Sequence, residues 1–161
     1  SKTPDAQVMS DLDTVVAWAK QRGGDTTKLG ITGFCWGGAV VWMACSRFRD
    51  FAAGVAWYGR LVGEPTANAP RHPIDVAAQL QAPVLGLYGA QDTGIPLETV
   101  DKMQKALAAG SPAAKASQFV VYPDAPHAFF ADYRPSYRAE AAREAWSRCL
   151  AWLRQHGVAP A

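Results

Sequence analysis

Apolar residues recur along this chain with two periods, and the period switches wherever glycine or proline intervenes. Over 6–22, Val8, Leu12, Val15 and Ala19 fall on one face of a helix that Gly23-Gly24 stops. KLGITGF (28–34) reads as a buried strand, and GGAVVWMACSRF (37–48) continues as an apolar helix. AAGVAWYG (52–59) gives a second strand. Residues 60–73 hold Pro65, Pro70 and Pro73 and form a loop, followed by a short helix over 75–81. APVLGLYGAQD (82–92) is a third strand running into a loop at its carboxyl end. The stretch 96–110 starts on Pro96, stops on Gly110 and sets Leu97, Val100, Met103 and Leu107 on one face. SQFVVYP (117–123) is the fourth strand and DAPHAFFADY (124–133) a loop. A last helix, about 135–156, is expected to bury Tyr137, Ala141, Ala145, Cys149 and Leu153, with Gly157 as its stop.

Strands that alternate with helices and are apolar on both faces imply a parallel sheet covered on both sides. The expected class is α/β, doubly wound, with residues 1–161 in one domain. Composition agrees: 49% of the 161 residues are hydrophobic and 19% charged, and the net charge is +2 with both signs dispersed. That excludes a disordered chain and gives no footprint for nucleic acid or a membrane surface. No apolar run approaches the ~20 residues of a membrane span. Cys35, Cys45 and Cys149 form no C-x-x-C pair, which points to reduced thiols and a cytoplasmic setting. No cluster has metal-ligand spacing, and no glycine loop matches a phosphate cradle.

The chemistry gathers at GFCWGG (33–38), a G-x-C-x-G sequence between a strand and a helix. This is the nucleophile-elbow arrangement with sulfur as the nucleophile. Cys35 is expected on a strained backbone, with small residues required at minus two and plus two so that strand and helix can pass. The amino end of the following helix should favour the thiolate, and the Trp36 N–H is placed to stabilise an oxyanion. Cys45 and Cys149 fall on apolar helix faces and should be inert.

A nucleophile needs a base and an orienting acid. His156 lies in the last turn of the terminal helix, where a cation has a structural use, and His72 sits in the proline-rich loop. His127 follows the fourth strand, in a loop at the carboxyl edge where open α/β sheets place their sites. Asp92 follows the third strand at the same edge; Asp124 suits a turn, and Asp132 suits a cap. Nucleophile, acid and histidine then occur in the order Cys35, Asp92, His127.

GFCWGG, YGAQDTGIP and YPDAPHAFFADYRPSYRAEAAREAW together resemble the dienelactone hydrolase family, the carboxymethylenebutenolidases of the α/β-hydrolase fold. The resemblance runs through essentially the whole chain. It implies a Cys35–Asp92–His127 triad that opens an ester or enol-lactone through an acyl-cysteine, without a cofactor, and with a small-molecule substrate. It also implies that the family's amino-terminal strands lie outside this sequence, together with a second oxyanion donor, a glutamate that holds the resting thiol and a substrate-binding arginine. The family's other substrate arginine, four residues past the histidine, is Ala131 here, so the pocket is expected from Tyr58, Arg60, Phe129 and Arg134. Glutamine amidotransferases share the elbow but carry glutamate two residues after the histidine, where this chain has Phe129. The strand 28–34 should expose an unpaired edge, so the chain is expected either to belong to a longer hydrolase or to pair with a second copy. The competing reading is a truncated, non-catalytic relative that binds a small molecule or a protein.

Overall fold

The computed structural model describes residues 3–158. Its elements are α1 (Asp5–Gln21), β1 (Leu29–Phe34), α2 (Trp36–Arg47), β2 (Phe51–Trp57), α3 (Pro73–Val76), β3 (Val84–Gly89), α4 (Leu97–Ala108), α5 (Pro112–Ala116), β4 (Gln118–Tyr122) and α6 (Ala139–Gln155). Single 3₁₀ turns precede β1 and follow α3. The four strands pair in parallel in the order β1-β2-β3-β4, as expected of strands joined by helical crossovers.

Strand parity sorts side chains to the two faces. A side chain at Gly54 would strike Val41 and Cys45 of α2, whereas Trp57, three residues on, packs against Trp146 of α6. The sheet is therefore covered on both faces, with its centre in β2 and β3, where every residue of β3 is buried. β1 lies at one edge, bonded only to β2 among the described residues, and alternates half-buried and exposed positions. Among the described residues no helix is long and apolar enough to cross a membrane.

Several helix faces differ from the pattern expected. Val15 and Leu97 are exposed, at 57% and 41%; α1 packs instead through Val8, Met9, Leu12 and Val16. α6 starts at Ala139, after Tyr137, and buries Ala142 and Trp152 along with Ala145 and Cys149. α5 was not expected: Ser111 caps it by accepting from the Ala114 N–H at 3.0 Å, with Pro112 as its first residue. Glu144 accepts from the Tyr122 hydroxyl and pairs with Arg148.

Candidate active site

Three loops at the carboxyl edge of the sheet build the site. At the first, the Cys35 N–H donates to the Trp57 carbonyl at 3.0 Å, and the backbone then turns with φ 53° and ψ −119° into α2. That left-handed value is costly for any residue with a Cβ and is held by the packing around it. Gly33 must be glycine because a side chain there would meet the backbone of Gly37. Gly37 itself faces open space, so the requirement at plus two does not hold. The close packing falls one residue later, where a side chain on Gly38 would strike the Trp57 carbonyl and Gly59. Trp36, as the first residue of α2, presents a backbone N–H with no intrahelical acceptor.

The second and third loops are tied to each other. Ala90 N–H donates to Tyr122 O at 2.9 Å, and Gln91 N–H to Ala125 O at 3.0 Å. This stitching continues the β3–β4 ladder beyond the strands and brings Asp92 beside His127. Asp92 is the one buried charged side chain among the described residues, 4% exposed. Its Oδ1 accepts from the Gly94 N–H at 2.9 Å, and its Oδ2 lies 2.6 Å from His127 Nδ1. A carboxylate only accepts, so Nδ1 carries the proton and Nε2 is left as the acceptor. The Gly94 contact could have been read from Asp-Thr-Gly, an Asx-turn sequence.

Cys35, Trp36, Tyr58, Arg60, Asp92 and His127 line one cavity of about 850 Å³. Its lining also has a polar part that sequence reasoning missed: Asp5, Glu64, Arg71 and His72. No local pattern announces this part, because Asp5 arrives there through the fold, donating its N–H to Asn68 O at 2.7 Å. His72 is half-buried; it is the N-cap residue before α3, and its Nε2 lies 3.0 Å from Glu64 O. Phe129 does not line the cavity. It is fully buried against Trp57, Tyr58 and Tyr122, turned inward because Ala128 before it takes φ 59°. Arg134 is exposed over the Tyr133 ring and outside the lining, although its charge reaches Cys35. Burial lowers the His156 pKa and so disfavours the cation, and the ring packs against Trp152.

Burial pushes the Cys35 thiol above its ordinary range; Arg134 pulls it down and Asp92 pushes it up. Burial thus opposes the pull toward the thiolate that the helix amino end exerts. Burial likewise raises Cys149, to about 11, and Cys45 further. Since a nearby cation favours the charged thiolate, Arg134→Gln should move the Cys35 midpoint to still higher pH. The pH dependence of Cys35 alkylation by iodoacetamide measures this, and an unchanged or lower midpoint would contradict it. Among the described residues no group of three or more His, Cys, Asp or Glu could hold a metal ion.

A family model described as "Dienelactone hydrolase family" matches residues 1–157. A protein of Methylorubrum extorquens named "Putative carboxymethylenebutenolidase" is 60% identical over 160 residues, 99% of this chain and 54% of the relative. The chain thus spans about half the length of the curated relatives it matches. The crystal structure of a "Putative Dienelactone Hydrolase" from Klebsiella pneumoniae superposes with a TM-score of 0.89 at 54% identity, covering 94% of this chain and 62% of that one. A puromycin-hydrolyzing peptidase of Mycobacterium tuberculosis, 18% identical with a TM-score of 0.74 over 94% of this chain and 26% of its own, shares the α/β-hydrolase-like fold.

Proposed function

The chain belongs to the dienelactone hydrolase family, and from that premise we propose that it carries the catalytic triad of an ester or enol-lactone hydrolase. Cys35 is the nucleophile, His127 the base and Asp92 the group that orients it. The observation that carries this reading is the 2.6 Å contact between His127 Nδ1 and the buried Asp92 carboxylate, in the cavity that Cys35 also lines.

The reaction runs in two halves. His127 Nε2 takes the Cys35 proton as sulfur attacks the carbonyl carbon, and the Trp36 N–H donates to the oxygen that gains charge. The C–O bond then breaks, His127 returns the proton to the departing oxygen, and an acyl-cysteine remains. Water, deprotonated by His127, attacks the thioester; the C–S bond breaks, the thiol regains its proton and the acid leaves. Burial disfavours the charged thiolate, which supports deprotonation by His127 as part of the attack itself. The substrate is a small activated ester such as an enol-lactone, whose leaving group needs little help. Arg60 lines the cavity and has no carboxylate partner among the described residues, so it suits an anionic group on that substrate. Arg134 lies outside the cavity lining and acts on the site only through its charge, which favours the Cys35 thiolate.

Brief mixing with p-nitrophenyl acetate, followed by intact-mass spectrometry and peptide mapping, tests this. One acetyl group should appear on Cys35, be absent from buried Cys45 and Cys149, and diminish in His127→Ala. An adduct distributed over all three cysteines, or none on Cys35, would overturn the assignment and favour a non-catalytic relative.

A further inference from the structure

His127 is held less firmly than a general base requires if Asp92 is its only partner. The imidazole is 43% exposed, against 2% for the Asp92 side chain. One hydrogen bond at Nδ1 holds a tautomer only while the ring stays aligned, and it leaves the imidazole free to swing about its broad outer torsion. A second surface is needed, and Tyr58 supplies it. Its ring stands edge-on to the imidazole, with centroids 5.2 Å apart and planes at 63°. It meets Phe129 in the same manner, at 5.3 Å and 70°. His127 and Phe129 flank Ala128, whose φ of 59° makes the tight turn that sends one ring outward and the other into the core. The Tyr58 ring therefore sits in the grip of this turn and touches both of its arms.

Tyr58 is itself immobilised. It takes φ 37°, a value rare for a bulky residue, and is 2% exposed although it lines the cavity. Its N–H donates to Leu87 O at 2.9 Å, which anchors the strained residue to β3. The residue before it, Trp57, accepts the Cys35 N–H. Two consecutive residues, the last of β2 and the one after it, thus hold the nucleophile's backbone and back the base's ring. Strain of this kind gathers at functional sites: Cys35, Tyr58 and Ala128 are the non-glycine residues with positive φ among those described, and all three lie at this edge.

We infer that Tyr58 is the positioning residue for His127, its rigidly held ring being the second surface that fixes the imidazole gripped by Asp92 at one nitrogen. The role rests on the triad proposed above but concerns the ring, not the hydroxyl. It sets the direction of Nε2 toward the sulfur, so its loss lowers the rate of proton transfer without weakening the binding of substrate.

The test is ¹⁵N NMR of the histidine side chains, with acylation kinetics by p-nitrophenyl acetate alongside. The wild-type chain should show His127 as a single Nδ1-protonated tautomer. Tyr58→Leu should move those signals toward an averaged pair and lower kcat about 10–100-fold, as expected of a slightly misplaced base, with KM little changed. Tyr58→Phe, which keeps the ring, should restore the His127 signature and recover much of the rate that leucine loses. Unfolding temperatures control for collapse of the core, and Tyr58→Met replaces the leucine variant if that does not fold. His127 signals in Tyr58→Leu that match the wild type would overturn the inference, as would a Tyr58→Phe variant as perturbed as the leucine one. The NMR readout does not require Cys35 to react. A wild-type chain that takes up no acetyl group, yet loses its His127 signature in Tyr58→Leu, would overturn the hydrolase reading and leave the positioning role standing.

Discussion

Asp92→Asn should slow acylation of Cys35 by about 10⁴-fold, the cost expected when the buried acid of such a triad is replaced by its amide. The direction in which the new amide points is set by this structure. Asp92 uses Oδ1 to accept from the Gly94 N–H at 2.9 Å and Oδ2 to accept from His127 Nδ1. Asparagine has one acceptor oxygen, and Gly94, a donor fixed in the backbone, will claim it. The NH₂ group then faces His127 Nδ1, and two donors cannot share that contact. The imidazole relieves the conflict by shifting its proton to Nε2, which removes the lone pair that must take the proton from Cys35. The loss is thus one of tautomer rather than of geometry. Asp92→Asn should unfold within a few degrees of the wild type, and its crystal structure should keep the His127 ring in place. Release of p-nitrophenolate under single-turnover conditions measures the rate. A loss below tenfold would mean that His127 does not work through Nε2, and the triad assignment would fail with it.

This geometry was partly legible in the sequence, and the pattern of what was legible has a physical basis. Features dictated by backbone chemistry at one point in the chain could be read directly. The strained turn at Cys35 needs the glycine at 33 whatever surrounds it, and Asp92 and His127 follow strands whose parallel pairing must bring their ends to one edge. Features that depend on which neighbour arrives from elsewhere could not. Gly37 looked obligatory from its spacing, yet the tight approach belongs to Gly38, because only the fold brings Gly59 and the Trp57 carbonyl against α2 there. Val15 and Leu97 follow the helical period but are exposed among the described residues. Phe129 has the position of a pocket residue, two past His127, and the left-handed Ala128 sends it inward instead. The basic and acidic residues in the polar part of the cavity lining come from α1 and the 60–73 loop, distant in sequence and brought together by the fold, as in the Asp5–Asn68 backbone hydrogen bond.

The largest loss of stability is expected from Trp57→Ala, and the reason ties the core to the chemistry. Trp57 is fully buried, and its Nε1–H donates to Thr32 Oγ1 at 3.0 Å, pinning β2 to the edge strand β1. Its ring is the hub of the aromatic layer under the site, with Phe130 at 4.6 Å, Phe34 at 5.1 Å, Phe129 at 6.3 Å and Trp146 at 6.4 Å between centroids. Removing it leaves a large cavity and an aromatic group with no common partner, a change that costs about 3–5 kcal/mol. For a domain of this size, that lowers the unfolding temperature by roughly 6–20 °C. Leu97→Ala deletes an apolar side chain that is 41% exposed, and it should change stability by roughly 0.5 kcal/mol or less. Thermal unfolding followed by circular dichroism separates the two, and equal shifts would show that the layer around Trp57 does not hold the sheet together. Acylation should suffer beyond the loss of folded protein. Phe129 and Phe130 rest on the Trp57 ring, and through the turn at Ala128 they set the height of His127 above the sheet. At a temperature where the Trp57→Ala chain is still folded, Cys35 should therefore acylate more slowly than in the wild type, since the base has lost the floor on which its loop stands.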